Sequence, residues 1–377
     1  DVVCTNPPYM GGSGMNAKLS EFVKSKFPDS KSDLFACFIE KCGQLAKPHG
    51  FYAMITQHAF MFLSSYENLR KKLMQKTTVN MAHLGARAFD EIGGEVVQTT
   101  AFVMTGHIKD YKGTYARLVD TVGENEKRDL FLSGDKRFAA KQENFSKIPG
   151  SPVAYWVSEN FIRAFENGRL LGEIASSKQG IATADNNRFL REWYEVNVEK
   201  ILFDCSTHEE SKTSPAKWYP YNKGGEFRKW YGNNDYVVNW QYDGAELRNF
   251  KKSVIRNPNF YFMPCFSWSL ISSSVAAFRY KPKGHIFDVA GMSCFSNDKL
   301  HYLLALCNSS CAMKVLEVIA PTINYQCGDI ANIPVIIPDS DEVENHVKEL
   351  VKDNIDSCKT DWDYYEVSWD FEKHPLI

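Results

Sequence analysis

With 377 residues, the chain is too long for one ordinary domain and long enough for two, each with its own hydrophobic core. Hydrophobic residues make up 44% and charged residues 24% of it, which is typical of globular domains, and no apolar run reaches the length of a membrane span. These values argue against an integral membrane protein, and we expect a cytoplasmic protein with no membrane partner. The net charge of −2 indicates no charged partner by itself.

The ten cysteines raise the question of a metal site. None of them forms a Cys-x-x-Cys pair, whereas structural zinc usually needs closely paired ligands. Cys37, Cys42, Cys307 and Cys311 stand at helical spacings among apolar residues. We therefore expect reduced, buried thiols and no metal.

The chain opens with a short apolar strand, residues 1–5, that runs directly into Asn6-Pro7-Pro8-Tyr9. Two prolines cannot continue the hydrogen-bond ladder of a strand, so the strand must end there and turn. Gly11-Gly12-Ser13-Gly14 follows and predicts a flexible loop.

Helices and strands then alternate along the sequence. The hydrophobic spacing predicts a helix over 34–46, a strand over 51–56, a helix over 65–76, and strands over 79–84 and 96–104. This alternation indicates a layered α/β sheet of the Rossmann-like kind. About four strands are predicted where a doubly wound domain has about five to seven. We therefore expect the C-terminal part of such a sheet, in a piece of a longer protein.

Residues 105 to about 150 carry charges and glycine without strong periodicity, and we expect a connection there with some local strands. Short strands, turns and a few helices follow, which predicts a mixed α+β domain. Helices are expected over 159–167, 298–318 and, in an acidic tail, 341–357. The predicted organisation is 1–112, a partial first domain; 113–150, a connecting segment; 151–335, a second domain; and 336–377, a helical tail.

Charge is distributed unevenly over this second half. Residues 211–283 contain twelve Lys and Arg against four acids, a net charge of +8, whereas residues 336–377 have a net charge of −8. Seventeen aromatic residues lie within 211–283, most of which we expect in the core. A folded region with this local excess of positive charge is a candidate surface for a polyanion, although a solvated face is the alternative.

The Asn6-Pro7-Pro8-Tyr9 segment offers an unusual set of groups for chemistry on an amino nitrogen. The side-chain oxygen of Asn6 and the carbonyl of Pro7 can accept both N–H bonds of one amino group and draw its nitrogen toward tetrahedral geometry. The following proline fixes the backbone that orients this carbonyl. Tyr9 is placed to stack on a base that has left the duplex. A tight turn that merely ends a strand is the alternative interpretation.

This segment, at the end of an apolar strand, resembles the signature of amino-group DNA methyltransferases. The stretches 33–41, 47–55 and 84–89 resemble the following elements of type IIG adenine methyltransferases. Further along, the chain is similar to the recognition domain of the PglX methyltransferases of BREX phage-defence systems, through 180–189, 218–231 and 321–330. The resemblance implies a partial methyltransferase sheet followed by a DNA target-recognition domain, in an enzyme that methylates adenine N6 within a restriction-modification or phage-defence system.

The resemblance also implies roles for particular residues. Asn6, Pro7, Pro8 and Tyr9 are the expected catalytic residues, and Tyr9 and Phe89 the expected stacking residues for the flipped base. Phe38 is a candidate wall for the adenine ring of S-adenosylmethionine, the implied cofactor, with a core position as the alternative. Double-stranded DNA is the implied partner, and further phage-defence proteins are candidates. Candidate DNA contacts are Asn186, Arg188, Lys223, Arg228, Lys229 and Arg256; Asn324, Tyr325 and Gln326 are either turn residues or groove contacts.

The sequence departs from the family in one respect. The glycine-rich cofactor loop of the family lies upstream of the catalytic motif, and Gly11-Gly12-Ser13-Gly14 lies downstream of it. We therefore expect the chain alone to be inactive. A DNA-recognition module without catalysis and a scaffold that uses the acidic tail for protein contacts remain the alternatives to an enzyme.

Overall fold

In the computed structural model, which describes residues 1–89, 97–108, 110–272 and 275–377, the chain divides into two units, Asp1–Glu166 and Asn167–Ile377. Each unit has its own hydrophobic core of buried aliphatic and aromatic side chains. The two units are described separately below.

The first unit is built on a six-stranded mixed sheet. Its strands are β1 (Val2–Thr5), β2 (Phe51–Gln57), β3 (Thr77–Gly85), β4 (Thr99–Thr105), β5 (Lys112–Arg117) and β6 (Arg137–Lys141). Their order in the sheet is β1-β2-β4-β3-β5-β6. The pairs β1–β2 and β3–β5 are parallel, and β4 runs antiparallel between β2 and β3. The carboxyl ends of β1, β2 and β3 therefore meet the start of β4 at one edge.

The described residues of this part of the chain form five α-helices: α1 (Ala17–Lys26), α2 (Leu34–Leu45), α3 (Glu67–Leu73), α4 (Glu124–Ser133) and α5 (Glu159–Asn167). Alternate residues of β2 are buried, among them Tyr52 and Met54, and they share a core cluster with Phe35 and Ile39 of α2. The opposite face of the sheet lines an open cavity of about 740 Å³. One face of the sheet is thus covered by helices, and the other is accessible in the described part of the chain.

Several predicted elements of this unit differ from the structure. Helix α1 was not predicted, because a single residue of it, Val23, is buried and the apolar pattern is weak. The glycine-rich loop contains a short 3₁₀ helix, Gly12–Gly14. The predicted strand over 96–104 begins at Thr99, and its first residue, Val96, lies outside the described residues.

Residues 113–150, predicted as a connecting segment, supply most of β5 together with α4 and β6 to the first unit. The buried guanidinium of Arg70 ties the end of this segment to the helical layer. It donates hydrogen bonds to the carbonyl oxygens of Gly150, Phe60 and Leu63 at 2.7 to 2.9 Å. These bonds give the buried guanidinium hydrogen-bond partners.

The second unit contains short strands arranged in three sheets. They are β7 (Arg169–Leu170), β8 (Ser176–Lys178), β9 (Leu190–Glu192), β10 (Trp218–Asn222), β11 (Tyr236–Asn239), β12 (Cys265–Ser267), β13 (Arg279–Lys281), β14 (Ile286–Phe287), β15 (Ser293–Phe295) and β16 (Pro334–Val335). The sheet orders are β14-β10-β11-β9, β13-β12-β15-β8 and β16-β7. Aromatic residues such as Tyr219, Trp240 and Trp268 are fully buried, as expected for most aromatics of this region.

The helices of the second unit are α6 (Leu171–Ile174), α7 (Asn186–Phe189), α8 (His208–Thr213), α9 (Gln241–Asn249), α10 (Leu300–Asn308), α11 (Ser310–Ile319), α12 (Cys327–Ala331) and α13 (Asp341–Asp363). The single helix predicted over 298–318 was wrong. Ser309 adopts an extended backbone and caps α11 through its side chain, so that α10 and α11 meet at a bend of 73°. Among the described residues, no single helix is long and apolar enough to cross a membrane, although this bent pair passes that test when taken together.

All ten cysteines are free thiols. Cys37, Cys42 and Cys307 are buried, as expected, whereas Cys311 is exposed on α11. Within the described ranges, no group of three or more His, Cys, Asp or Glu side chains is placed to hold a metal ion.

Candidate active site and recognition surface

The Asn6-Pro7-Pro8-Tyr9 segment leaves the sheet at the carboxyl end of β1. Asn6 is exposed and Pro7 is buried beneath it. The Tyr9 ring is half-buried and packs edge-on against Phe35 of α2, with ring centroids 6.0 Å apart. Burial, followed by the negative charge of Asp33, raises the pKa of Tyr9, so the phenol is neutral at physiological pH. The segment therefore presents an amide group and one side of an aromatic ring to solvent.

Asp33 holds this segment in place, a role that the sequence did not reveal. Its carboxylate accepts hydrogen bonds from the backbone N–H of Met10 at 2.9 Å and of Phe35 at 3.2 Å. The second bond caps the N-terminus of α2. The backbone N–H of Leu34 also donates to the Met10 carbonyl at 3.1 Å. One side chain thus fixes both the loop that follows Tyr9 and the start of the neighbouring helix.

A cavity of about 250 Å³ opens beside this segment. It is lined by Asn6, Tyr9, Arg87, Ala88, Phe89, Val97 and Thr99. Phe89 is 39% exposed and follows β3, whose last residue, Gly85, has a φ of 68°. A Cβ atom at Gly85 would also lie 2.9 Å from Val119, so the turn that leads to Phe89 favours glycine. The structure therefore brings together Asn6, Tyr9 and Phe89, and it adds Arg87, Val97 and Thr99, which sequence reasoning missed.

Phe38 lies on the outer face of α2, where its side chain is 36% exposed, so it is not a core residue. It lines neither of the two cavities that include Asn6. The exposure of its side chain is thus the one described feature that makes Phe38 available to a ligand.

Two histidines, the buried His83 and the half-buried His58, lie at the two ends of the segment that carries Phe89. His83 of β3 and His58, which follows β2, lie 2.8 Å apart between Nε2 and Nδ1, and the Nδ1 atom of His83 lies 3.1 Å from the Tyr155 hydroxyl. The backbone N–H of His58 donates to the Gln98 carbonyl at 2.9 Å. Burial lowers the pKa of His58 to about 4, and burial together with the adjacent cations lowers that of His83 to about 3. Both imidazoles are therefore neutral near pH 7.

In the second unit, backbone hydrogen bonds join six segments side by side. We call them the loop row: residues 254–257, 180–183, 288–290, 222–225, 269–271 and 323–325. Ala182 and Val254 exchange two bonds, and Val289 donates to Ile181 at 3.0 Å. The backbone N–H of Asp288 donates to the Asn222 carbonyl at 2.9 Å, and that of Leu270 donates to the Ala290 carbonyl at 2.9 Å. The backbone N–H of Tyr325 donates in turn to the Leu270 carbonyl at 2.8 Å.

The predicted DNA contacts lie along or beside this row. Arg256 and Lys223 belong to it, Asn186 and Arg188 follow the 180–183 segment, and Arg228 and Lys229 follow the 222–225 segment. Asn324 pairs with Ile271 in an isolated bridge, and the Tyr325 carbonyl accepts from the Trp268 indole at 2.9 Å. The backbones of Asn324 and Tyr325 therefore have structural roles.

Several of these candidates already bind other groups of the unit. Arg188 donates two bonds to Glu246 at 2.8 and 2.9 Å, and Lys229 donates to the Asn308 carbonyl at 2.9 Å. Arg228 lies 3.2 Å from Asp361, and its guanidinium lies over the Trp362 ring at 4.9 Å. Asn186 accepts a bond from Thr183 at 2.5 Å. These contacts orient the side chains and occupy part of their hydrogen-bonding capacity.

Lys223 and Arg256 are engaged differently. The Lys223 ammonium lies 4.7 Å from the centre of the Tyr236 ring. The Nη1 atom of Arg256 is buried and has no hydrogen-bond partner among the described residues. A buried guanidinium nitrogen without a partner is uncommon in folded proteins, and no ionic partner of Arg256 is described.

Two buried side chains of β13, Lys281 and Arg279, support the loop from Lys223 to Asn233 through hydrogen bonds. The Lys281 ammonium donates to the carbonyls of Gly232 and Asn233 at 2.9 Å and to the Asn234 side chain at 2.5 Å. Arg279 donates to Ser269 at 2.8 Å, and the Ser269 hydroxyl donates to the Gly225 carbonyl at 2.7 Å. These hydrogen bonds anchor the loop, whose exposed end carries Phe227 at 53% exposure.

Comparison with known proteins supports the resemblance seen in the sequence. Residues 1–89 match the family model of the Eco57I restriction-modification methylase. The chain is 43% identical, over 392 residues, to the adenine-specific methyltransferase PglX of Lacticaseibacillus casei (strain Zhang), covering 99% of this chain and 32% of that protein. It is 44% identical, over 384 residues, to the adenine-specific methyltransferase BrxX of Escherichia coli O9:H4 (strain HS), covering 100% of this chain and 30% of that protein. The chain thus spans about a third of the length of the curated relatives it matches, and the predicted resemblance is confirmed.

Solved structures are similar at the level of the fold. The type IIL restriction-modification enzyme MmeI in complex with DNA matches with a TM-score of 0.60 at 12% sequence identity, covering 98% of this chain and 50% of that one. A nuclease-deletion mutant of the type ISP restriction-modification enzyme LlaGI, in complex with a DNA substrate mimic, matches with a TM-score of 0.50 at 13% identity, covering 94% and 41%. The predicted fold class, part of a Rossmann-like methyltransferase sheet followed by a mixed α+β region, is confirmed.

Proposed function

We propose that this chain, which is similar along its whole length to PglX and BrxX, carries the target-base site and the DNA-recognition surface of a DNA adenine-N6 methyltransferase. The observation that supports this most is the cavity that joins Asn6, Tyr9 and Phe89 at the carboxyl edge of the sheet. Its volume of about 250 Å³ and its two aromatic side chains, the half-buried Tyr9 and the exposed Phe89, suit one flat base.

The chemistry assigned to each residue follows from its position. The Asn6 side-chain oxygen and the Pro7 carbonyl accept the two N–H bonds of the adenine amino group, which localises the nitrogen lone pair for attack on a methyl carbon. Pro8 fixes the backbone conformation that aims the Pro7 carbonyl. Tyr9 and Phe89 stack on the base and hold it outside the duplex. The amino proton lost on methylation passes to solvent, since the site needs no buried general base.

S-adenosylmethionine is the proposed cofactor, and when bound it supplies the methyl group. Of this chain's residues, Phe38 is the proposed contact for the adenine ring of the cofactor. Its exposure on α2, the helix whose N-terminus is tied to the catalytic loop through Asp33, supports this assignment. Restriction-modification or phage defence is the proposed biological setting, as the names of the relatives suggest.

The test of this site is the variant Asn6→Ala in the gene product that contains this chain. Removing one acceptor that acts in the transition state lowers rates by roughly 10²–10³. We expect at least that loss of adenine methylation with DNA affinity unchanged. The variant Asn354→Ala is the matched control, because Asn354 is an exposed residue of α13. Near wild-type methylation by Asn6→Ala would refute the assignment.

For the second unit, we propose that the loop row faces double-stranded DNA. The row places Lys223 and Arg256 on one set of adjoining segments, and Arg188, Arg228 and Lys229 on their flanks. Phosphate contacts by such side chains give affinity that depends on salt, while Asn186 and the exposed loop end offer contacts to base edges.

This surface is tested by the salt dependence of DNA binding. Each phosphate contact contributes about 0.9 to the slope of log affinity against log salt concentration. We expect Lys223→Gln and Arg256→Gln each to lower the slope by about 1, because both side chains lack an ionic partner in the described structure. Lys348→Gln is the control, since Lys348 pairs with Glu344 at 2.8 Å on the acidic helix. An unchanged slope in both test variants would place the DNA surface elsewhere.

A further inference from the structure

Thr99, the first residue of β4, has an unusual position in the sheet. It pairs with Gln57 at the end of β2 on one side and with Gly85 at the end of β3 on the other. Thr99 is 1% exposed, and its hydroxyl oxygen is buried without a hydrogen-bond partner among the described residues. It also lines the cavity that contains Asn6, Tyr9 and Phe89. A residue whose hydroxyl has no described partner therefore lines the candidate base site.

Other threonines of the same strand show that this situation is not forced by the fold. The Thr100 hydroxyl donates to the Ala82 carbonyl at 3.1 Å, and the Thr105 hydroxyl donates to the Gly50 carbonyl at 2.9 Å. Buried polar groups in folded proteins are almost always paired, and exceptions call for a reason such as a ligand. Val97, two residues before Thr99 on the same cavity wall, is apolar. A ligand in the cavity that Thr99 lines would supply the missing partner.

We propose that the Thr99 hydroxyl donates a hydrogen bond to a ring nitrogen of the target base and so selects the base that carries an acceptor there. This inference rests on the proposed function. With both amino N–H bonds taken by Asn6 and Pro7, the atoms beside the amino group are N1 and N7, and both are acceptors in adenine. A threonine hydroxyl can donate one hydrogen bond, which matches either atom.

The role is that of a specificity-determining contact to the base. Stacking by Tyr9 and Phe89 accepts any flat base. A hydrogen-bond donor at a fixed position in the strand, by contrast, distinguishes bases by whether an acceptor atom lies opposite it. Arg87 also lines the cavity, but its side chain is exposed and begins in a left-handed backbone conformation with φ 51°. Thr99 is held by the sheet on both sides and is the better-positioned donor.

The test compares wild type, Thr99→Val and Thr99→Ser in the gene product that contains this chain. Valine keeps the shape and removes the hydroxyl, whereas serine keeps the hydroxyl. Each protein is assayed for kcat/KM on duplexes whose target base is adenine, 1-deazaadenine or 7-deazaadenine. We expect Thr99→Val to lose about tenfold on adenine, in the range of one hydrogen bond, and Thr99→Ser to lose less than about threefold. On the analogue that lacks the bonded nitrogen, wild type and Thr99→Val should become equal.

A stability measurement separates this role from a structural one. Because the hydroxyl has no partner in the described structure, Thr99→Val should unfold in urea at the same or a higher midpoint than wild type. A lower midpoint would show that the hydroxyl has a structural partner, and it would overturn the proposal. So would unchanged kcat/KM of Thr99→Val on adenine, or a tenfold ratio that persists with both analogues. A wild-type protein that methylates no adenine would instead refute the proposed function.

Discussion

His58 and His83 are the residues for which the structure makes the sharpest prediction about pH. Both are neutral in the folded protein, since burial lowers their pKa values to about 4 and about 3. In the unfolded chain a histidine titrates near pH 6.5. Below that pH the unfolded state binds more protons than the folded state, so the free energy of unfolding falls as the pH falls.

We therefore expect the pair to be without effect above pH 6.5 and to destabilise the first unit progressively as the pH falls, down to about pH 4 for His58 and about pH 3 for His83. The slope is at most about 1.4 kcal/mol per pH unit for each histidine. We would measure the free energy of unfolding by urea denaturation at several pH values, for wild type and for the double variant His58→Gln, His83→Gln. The double variant should have the flatter profile.

The control for this experiment is His346→Gln, because the His346 side chain is 69% exposed. It should keep the wild-type profile. If the double variant and wild type lose stability equally on acidification, the titration of His58 and His83 does not cause that loss.

At the scale of the element, the N-terminus of α2 connects helix capping to the geometry of the candidate site. Asp33 caps this helix and also holds the Met10 N–H of the loop that follows Tyr9. Asn16 caps the neighbouring helix α1 by accepting from the Leu19 N–H at 2.9 Å, and it makes no described contact to the candidate site. The two caps are chemically similar and differ in what else they hold.

Alanine at either position should lower the free energy of unfolding by about 1 kcal/mol, the usual effect of losing a cap. Only Asp33→Ala should also lower kcat for methylation, by about tenfold or more, because it frees the loop that orients Asn6 and Tyr9. Denaturation and steady-state kinetics on both variants give the comparison. Equal kcat for Asp33→Ala and Asn16→Ala would show that the hydrogen bonds of Asp33 do not position the candidate site.

Elements with strong local patterns could be predicted from the sequence. The apolar run before Asn6, the alternation over 51–56 and the periodic helix over 159–167 all correspond to observed elements. The break at Ser309 could not, because its cause is a single side chain that caps α11 within a continuous apolar pattern. Helix α1 was missed because it buries little apolar surface.

For the whole molecule, the candidate site was predictable in part. The Asn6 segment and Phe89 were found through motifs, but Thr99 and Asp33 were not, since their roles depend on contacts between segments far apart in sequence. Charge counting found the basic region, yet it could not show that Arg188 pairs with Glu246 or that Arg228 pairs with Asp361 of the acidic tail. Composition gives the number of charges in a region, but it does not show which of them form ion pairs with each other.

In the proposed function, the cavity around Asn6 holds an adenine whose amino group is methylated. The most direct measurement is single-molecule sequencing that reads methylated bases site by site in genomic DNA of cells that carry the gene in its native context, with and without Asn6→Ala. We expect N6-methyldeoxyadenosine at a defined sequence with the wild-type gene and its loss with the variant. Methylated cytosine in place of methylated adenine, or N6-methyldeoxyadenosine that persists at that sequence in the Asn6→Ala cells, would contradict the account.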